Sequence, residues 1–313
     1  MRLDLRVAGR AGYTIIELLI ACVVGVVVLS SAMSLGVATF RSLAGVQLRD
    51  GIDRNGRFVG MTLQRDLTET GVLIEAQNDF GTLAVWNDSI SILRVAFDTS
   101  AFPQYNLTTA GGFARGVNNP LGTSTSLDIN TGGVVPRLAA GDLARYQLNT
   151  SRRLILITSV VRQGAVYRVT FTSATRLIHH DAGLVGVYPN VAGTNVSAAF
   201  VQKLSPVMYW RNGTQLMRAQ SLNPDGTWVG QVIADGVQTF DASLIFTDGD
   251  EATQANGTDA DLTNNYNQIA AIRVRATMTS VATDARVNGR VLLTRPYEWF
   301  VAPRNLIYER NRM

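Results

Sequence analysis

Glu17 is the residue whose type and place most invite a chemical question. It is the one charge in a stretch from Tyr13 to Phe40 that is otherwise uncharged. A charged side chain deep in hydrocarbon costs roughly 2.5–3.5 kcal/mol, so an acid at the front of such a run needs a partner or a task. A second candidate is acidic. Asp248, Asp250 and Glu251, with Asp259 and Asp261 further on, offer the hard oxygens that Ca2+ takes. Their spacing does not meet that of an EF-hand loop, and a solvated acidic turn is the plainer account. His179 and His180 are the two histidines. As neighbours on a strand they would face opposite sides, which makes no chelate. The single cysteine, Cys22, lies inside the apolar run, so no intrachain disulfide forms. No serine occupies a G-x-S-x-G turn, and no glycine loop is built to cradle phosphate. Arg304, Arg310 and Arg312, near Tyr308, could touch DNA phosphates, a frayed basic tail being the default. No catalytic constellation is visible. The expectation is therefore no enzyme and no cofactor, with Ca2+ as the one metal candidate.

The elements that must position Glu17 come next. A chain of 313 residues can bury a substantial core, and its apolar share of 46% is that of a largely water-soluble fold. Net charge is +4, but Arg2, Asp4, Arg6 and Arg10 precede the apolar run; without them 25 basic residues face 23 acidic ones. A balance of +2, read as scattered, does not by itself argue for nucleic acid. The uncharged stretch 18–40 is long enough to span a bilayer as a helix. The arginines before it place the N-terminus in the cytoplasm and the bulk of the chain outside. An ordinary secretory signal fits this pattern, with Ser30-Ser31-Ala32 as a cleavage site, and so does a plain anchor. Neither accounts for Glu17.

A third reading does. Gly12-Tyr13-Thr14-Ile15-Ile16-Glu17, followed by the apolar run, resembles the class III leader of type IV prepilins and pseudopilins. The resemblance implies that prepilin peptidase cuts after Gly12 and methylates the new amine of Tyr13. It also implies that Glu17 serves assembly, its carboxylate neutralising the amine of a neighbouring subunit as helices stack. The bland alternative is that Glu17 snorkels at the helix start, where its charge suits the dipole.

Beyond the membrane the chain turns amphipathic. Leu48, Ile52, Val59, Leu63 and Leu67 share one helical face. Arg49, Asp50, Asp53, Arg54, Arg57, Gln64 and Arg65 read as solvent-facing. Gly56 and Gly60 read as points of close packing, whereas Gly25 and Gly36 stay undecided between packing and local melting on assembly. The run Asn55-Gly56-Arg57-Phe58, then Arg65-Asp66-Leu67 and Gly71, resembles a PilW-type minor pilin. So does the late sequence Ile269-Ala270-Ala271-Ile272-Arg273-Val274, closing on Tyr297-Glu298-Trp299-Phe300 and Arg304-Asn305. A cysteine that often follows in that family is replaced by Val72-Leu73-Ile74, so no family disulfide transfers.

Alternation at 89–92 and 166–171, and the apolar run at 153–157, predict strands. Asn212-Gly213 and Pro224-Asp225-Gly226 predict turns. The stretch 103–136 reads as an irregular insertion. The expected fold is α+β, a pilin-like lollipop: leader at 1–12, transmembrane half-helix at 13–40, amphipathic half at 41–70, and a β-rich head at 71–313 whose mainly antiparallel sheet packs on the helix. The resemblance implies a minor pilin anchored in the inner membrane and later carried on a surface pilus. Its implied partners are other major and minor pilins, prepilin peptidase, the inner-membrane assembly platform and the lipid bilayer. A type II secretion pseudopilin is the alternative. A tip receptor for DNA or a surface, acting through 74–206, is another.

Overall fold

A computed structural model describes residues 14–74, 80–95, 103–107, 125–148, 151–178, 199–255, 264–283, 287 and 291–306. The predicted sites at Gly12, Tyr13, His179, His180, Asp259, Asp261, Arg310 and Arg312 lie outside them. One helix, α1, runs Ile15–Thr68 without a break, and 15 strands follow among the described residues. The chain divides into two units. Met1–Gly51 goes with Ala282–Leu293, and Ile52–Val281 goes with Thr294–Met313.

In the first unit, α1 is long and apolar enough to cross a bilayer, and none of its apolar window is buried. Its hydroxyls are satisfied within the helix. Ser30 and Ser31 donate to Val26 O and Val27 O at 2.7 and 2.8 Å, and Thr39 to Leu35 O at 2.9 Å. Polar side chains are tolerated in hydrocarbon on those terms.

In the second unit the remainder of α1 is two-faced. Ile52, Gly56, Val59, Gly60, Leu63, Asp66 and Leu67 are buried. Its partner is a four-stranded antiparallel sheet ordered β13 (Glu251–Ala252), β12 (Val237–Phe246), β14 (Ile269–Thr279) and β15 (Thr294–Val301). On β14, Ile272, Val274, Ala276 and Met278 are buried and Arg273, Arg275 and Thr277 alternate with them. That period of two puts one face on the core.

A five-stranded sheet has the order β1 (Leu83–Trp86), β2 (Ser89–Arg94), β9 (Ser205–Asn212), β10 (Gln215–Leu222) and β11 (Trp228–Asp235). Asn212 pairs with Gln215, so Gly213 and Thr214 form the predicted two-residue turn, one position on from the expected pair. At the next turn Asp225 accepts from Thr227 N at 2.9 Å, as the Pro-Asp-Gly signal predicts.

The third sheet differs from expectation. Its six antiparallel strands run β3 (Gln104–Asn106), β8 (Ala199–Lys203), β5 (Leu143–Leu148), β6 (Ser151–Gln163), β7 (Val166–Ser173) and β4 (Thr125–Ile129). Two of them, β3 and β4, fall in the stretch read as irregular. They are short edge strands whose register is set by partners, Tyr105 against Val201 and Leu127 against Val169. Pairing of this kind leaves little local signal. One face of this sheet has its own core, including Ile129, Tyr146, Ile157, Val169 and Phe171. Among the described residues the head is thus three sheets, not one.

Candidate functional site

Glu17 sits in the first turn of α1, exposed. Thr14 Oγ1 accepts from Glu17 N at 3.2 Å, and Glu17 Oε2 accepts from Thr14 N at 3.3 Å. The two residues satisfy each other's backbone N–H groups, a reciprocal capping box. The T-x-x-E spacing carried that signal within the leader pattern, and the sequence reading passed over it. Glu17 therefore has a local structural task, which does not consume its charge.

The second constellation fastens α1 to the sheets. Gly56 lies under the ring of Tyr297 and Gly60 under the indole of Trp299, so close that a Cβ at either position would overlap the ring. The two rings are stacked, with centroids 5.7 Å apart and planes 8° from parallel. Two glycines one helical turn apart thus accept two aromatics one pleat apart on β15, because residues 297 and 299 project from the same face. Around them Tyr297 Oη donates to Asp53 Oδ1 at 2.8 Å, and Arg295 ion-pairs with the same oxygen. The Tyr297 hydrogen bond holds Asp53 below its ordinary pKa; burial opposes it, and the bond and charge of Arg295 add to the lowering. Burial, and then the bond to Asp53, push the Tyr297 phenol up to about 12. At the far end Asn305 Nδ2 donates to Thr68 O at 3.0 Å, occupying one of the carbonyls that a helix end leaves open.

Asp66 is the deepest charge described, with its side chain fully buried. Arg218 Nε donates to Oδ2 at 2.7 Å and Tyr209 Oη donates to the same atom at 2.5 Å. Burial alone would raise the Asp66 pKa. The bonds and charges of Arg218, Tyr209 and Arg65 outweigh it and hold Asp66 below the usual carboxylate range. The Tyr209 phenol is pushed up, first by burial and then by the Asp66 charge, so it remains a donor at neutral pH. Close by, Arg94 pairs with Glu69, its own pKa lowered by burial. In the sequence Asp66 stands out only as part of an R-D-L pattern. Its place on the buried stripe, seven residues after Val59, was the available signal.

Of the other predicted sites, the described residues show the following. Glu251 pairs with Arg273, accepts from Ser243 Oγ at 2.5 Å and lies 3.8 Å from Arg275, so its oxygens already have cationic partners. Asp248 Oδ1 accepts from Asp250 N at 3.0 Å, a local turn. Among the described residues no three metal-ligating side chains cluster. Cys22 is exposed on the apolar helix, and Arg304 is exposed. The sequence reading also missed where the positive charge lies. Residues 103–203, which supply the strands of the six-stranded sheet, carry nine basic residues against three acids, Asp128, Asp142 and Asp181. Part of that charge is spent internally: Arg168 pairs with Asp128 at 2.9 Å and Lys203 with Asp142 at 2.8 Å.

Neither a family model nor a curated protein sequence matches the chain. Among solved structures, a type IV-like pilin from Thermus thermophilus aligns with 54% of this chain and 86% of its own, at 11% identity and a TM-score of 0.24. A similarity that loose transfers neither fold nor function. What stands on the geometry is a long N-terminal helix, apolar and exposed in its first part and clamped to antiparallel sheets in its second.

Proposed function

We propose that this chain is a minor pilin of a type IV pilus, PilW-type, acting as an assembly-initiating or tip subunit and not as an enzyme. One observation carries the reading. Residues that resemble the family at the two ends of the sequence meet: Gly56 lies against Tyr297, with Gly60 against Trp299 one helical turn on, and Asn305 caps the helix at Thr68, next to Arg65-Asp66-Leu67. Motifs more than 200 residues apart in sequence are parts of one clamp. On this reading prepilin peptidase cleaves between Gly12 and Tyr13, and Tyr13 is N-methylated. Glu17 then pairs with an incoming amine as the helix enters a bundle of other pilins. Mass spectrometry of membrane-extracted protein should find an N-methylated terminus at Tyr13. A mature terminus near Met33 would overturn the reading in favour of an ordinary signal peptide.

A second reading, a receptor for DNA at the pilus tip, is favoured by the basic excess of residues 103–203. Phosphate-driven binding falls steeply with salt. Mobility shifts with the full chain in nanodiscs, across a salt series to about 200 mM, should show weak and salt-labile binding if the subunit is structural. Binding that persists there would move the reading to the receptor.

A further inference from the structure

Strands β14 and β15 are paired up to Thr279 and Thr294, yet residues 280–293 connect them. Hairpin loops mostly take about 2–5 residues, and a far longer one usually has a task. Its part 282–293 belongs to the same compact unit as residues 1–51. There Val287 lies against Gly45 of α1, its methyl carbons 3.9 and 4.0 Å from where a Cβ would stand. Val291 and Leu292 are 62% and 41% exposed, and Leu43 and Val46 of α1 are exposed as well. Four such side chains in one small unit exceed the single exposed aliphatics that any surface carries. The level of Gly45 along α1 says what covers them. It is five residues beyond Phe40, about 8 Å further along the helix at 1.5 Å per residue. The head-group layer outside the hydrocarbon is about 5–8 Å deep on each side. From Leu18 to Leu48 the one charge is Arg41, a side chain long enough to reach outward to water while its stem stays at the hydrocarbon edge. Leu43 and Val46 therefore prolong the apolar surface of α1 into the level at which Val287 touches it.

We infer that Val287, Val291 and Leu292 belong to a foot that rests on the bilayer α1 crosses, with Val291 and Leu292 entering the boundary between head groups and acyl chains. The occupant of this apolar surface is lipid, because at head-group level lipid surrounds a lone spanning helix on every side. Aliphatic side chains gain there by leaving water, as those of an interfacial helix do. A second contact beside the span also restricts the tilt and rotation of α1, the part played by interfacial anchors on other spanning helices. The inference needs only that α1 spans a bilayer. It stands apart from the PilW-type reading, which the Tyr13 terminus decides.

The test uses the full chain carrying Cys22→Ser, one copy per nanodisc, with a single spin label placed by Val291→Cys or Leu292→Cys. Power saturation compares collisions with oxygen, which concentrates in the bilayer, and with a nickel chelate, which stays in water. Val28→Cys supplies the reference for the span. Val135→Cys, at an exposed residue of the other unit, supplies the reference for water. The labels at 291 and 292 should favour oxygen over nickel, with values between the two references. Adding Val291→Asp to the Leu292→Cys protein should shift its label toward the Val135 value. Labels at 291 and 292 that match Val135 in one-copy discs would overturn the proposal. Shielding that develops only with several copies per disc would overturn it too, assigning the surface to a second copy of the chain. A Val28 label open to nickel would remove the span and the foot together.

Discussion

The two parts of α1 contain glycines that look alike in sequence and do opposite things. Gly25 and Gly36 have nothing within 4 Å of where a Cβ would be. Gly56 and Gly60 each have an aromatic ring in that space. A glycine inside a helix weakens it by about 0.8–1 kcal/mol relative to alanine in either setting. In the second part that loss is offset by close approach of Tyr297 and Trp299. In the first part no contact among the described residues offsets it at Gly25 or Gly36, so the local weakness of the helix remains available. The lesson is that a helical glycine acquires a meaning only from what lies across from it.

The largest way to break the clamped side is Asp66→Asn. Arg218 would keep its charge and lose its counter-charge inside the protein, at a cost of about 3–5 kcal/mol by the usual penalty for splitting a buried pair. Denaturant unfolding of the nanodisc-held chain should show that loss. The same variant checks the pH dependence. Because the folded pKa of Asp66 is depressed, its contribution is present above the unfolded value of about 3.9 and is lost as pH falls through the lower folded value. The parent should therefore lose stability in acid more steeply than Asp66→Asn. Parallel acid profiles would mean that the pair is not what holds the helix.

Next in size is Gly60→Ala. The added methyl must displace the Trp299 indole, and overpacking of this kind costs about 1–3 kcal/mol. Gly25→Ala should go the other way, strengthening the exposed part by no more than about 1 kcal/mol, read as slower amide exchange around residue 25. Equal effects from the two substitutions would erase the distinction drawn above.

Glu17 sharpens the same comparison at the helix start. Glu17→Gln keeps a side chain able to reach Thr14 N, and Glu17→Val does not. Amide exchange near Thr14 should be unchanged in the first and faster in the second, by about 0.5–1 kcal/mol of local opening. If the carboxylate also pairs with an amine of another subunit, both variants should fail to crosslink to other pilins in membranes. Normal crosslinking by Glu17→Gln would leave the capping box as its only task.

Much of α1 was legible in the sequence. The apolar run and the Ile52, Val59, Leu63 and Leu67 stripe follow from period alone, and packing was the favoured reading of Gly56 and Gly60. Their aromatic partners were not legible, because nothing local ties residue 60 to residue 299. Asp66 was passed over for a related reason. An acid on an apolar stripe looks like a break in the pattern until Arg218 and Tyr209 are seen to meet it. Of the third sheet, β6 and β7 were legible at 153–157 and 166–171, whereas β3 and β4 were hidden because they owe their pairing to strands far along the chain. The capping box was in plain view, but the leader resemblance had already absorbed Glu17.

The bond between Tyr297 and Asp53 joins residues 244 apart in sequence. A chain delivered from its N-terminus onward exposes the glycine face of α1 long before β15 exists to cover it. Contacts of such wide separation form late and slowly, since a large loop must close before they return any stabilisation. The helix is therefore complete first and waits, with Ile52, Val59 and Leu63 uncovered, until β15 arrives. Folding of the head is gated by the arrival of β15, and during that interval the uncovered face is where another protein, helper or stray strand, would first take hold.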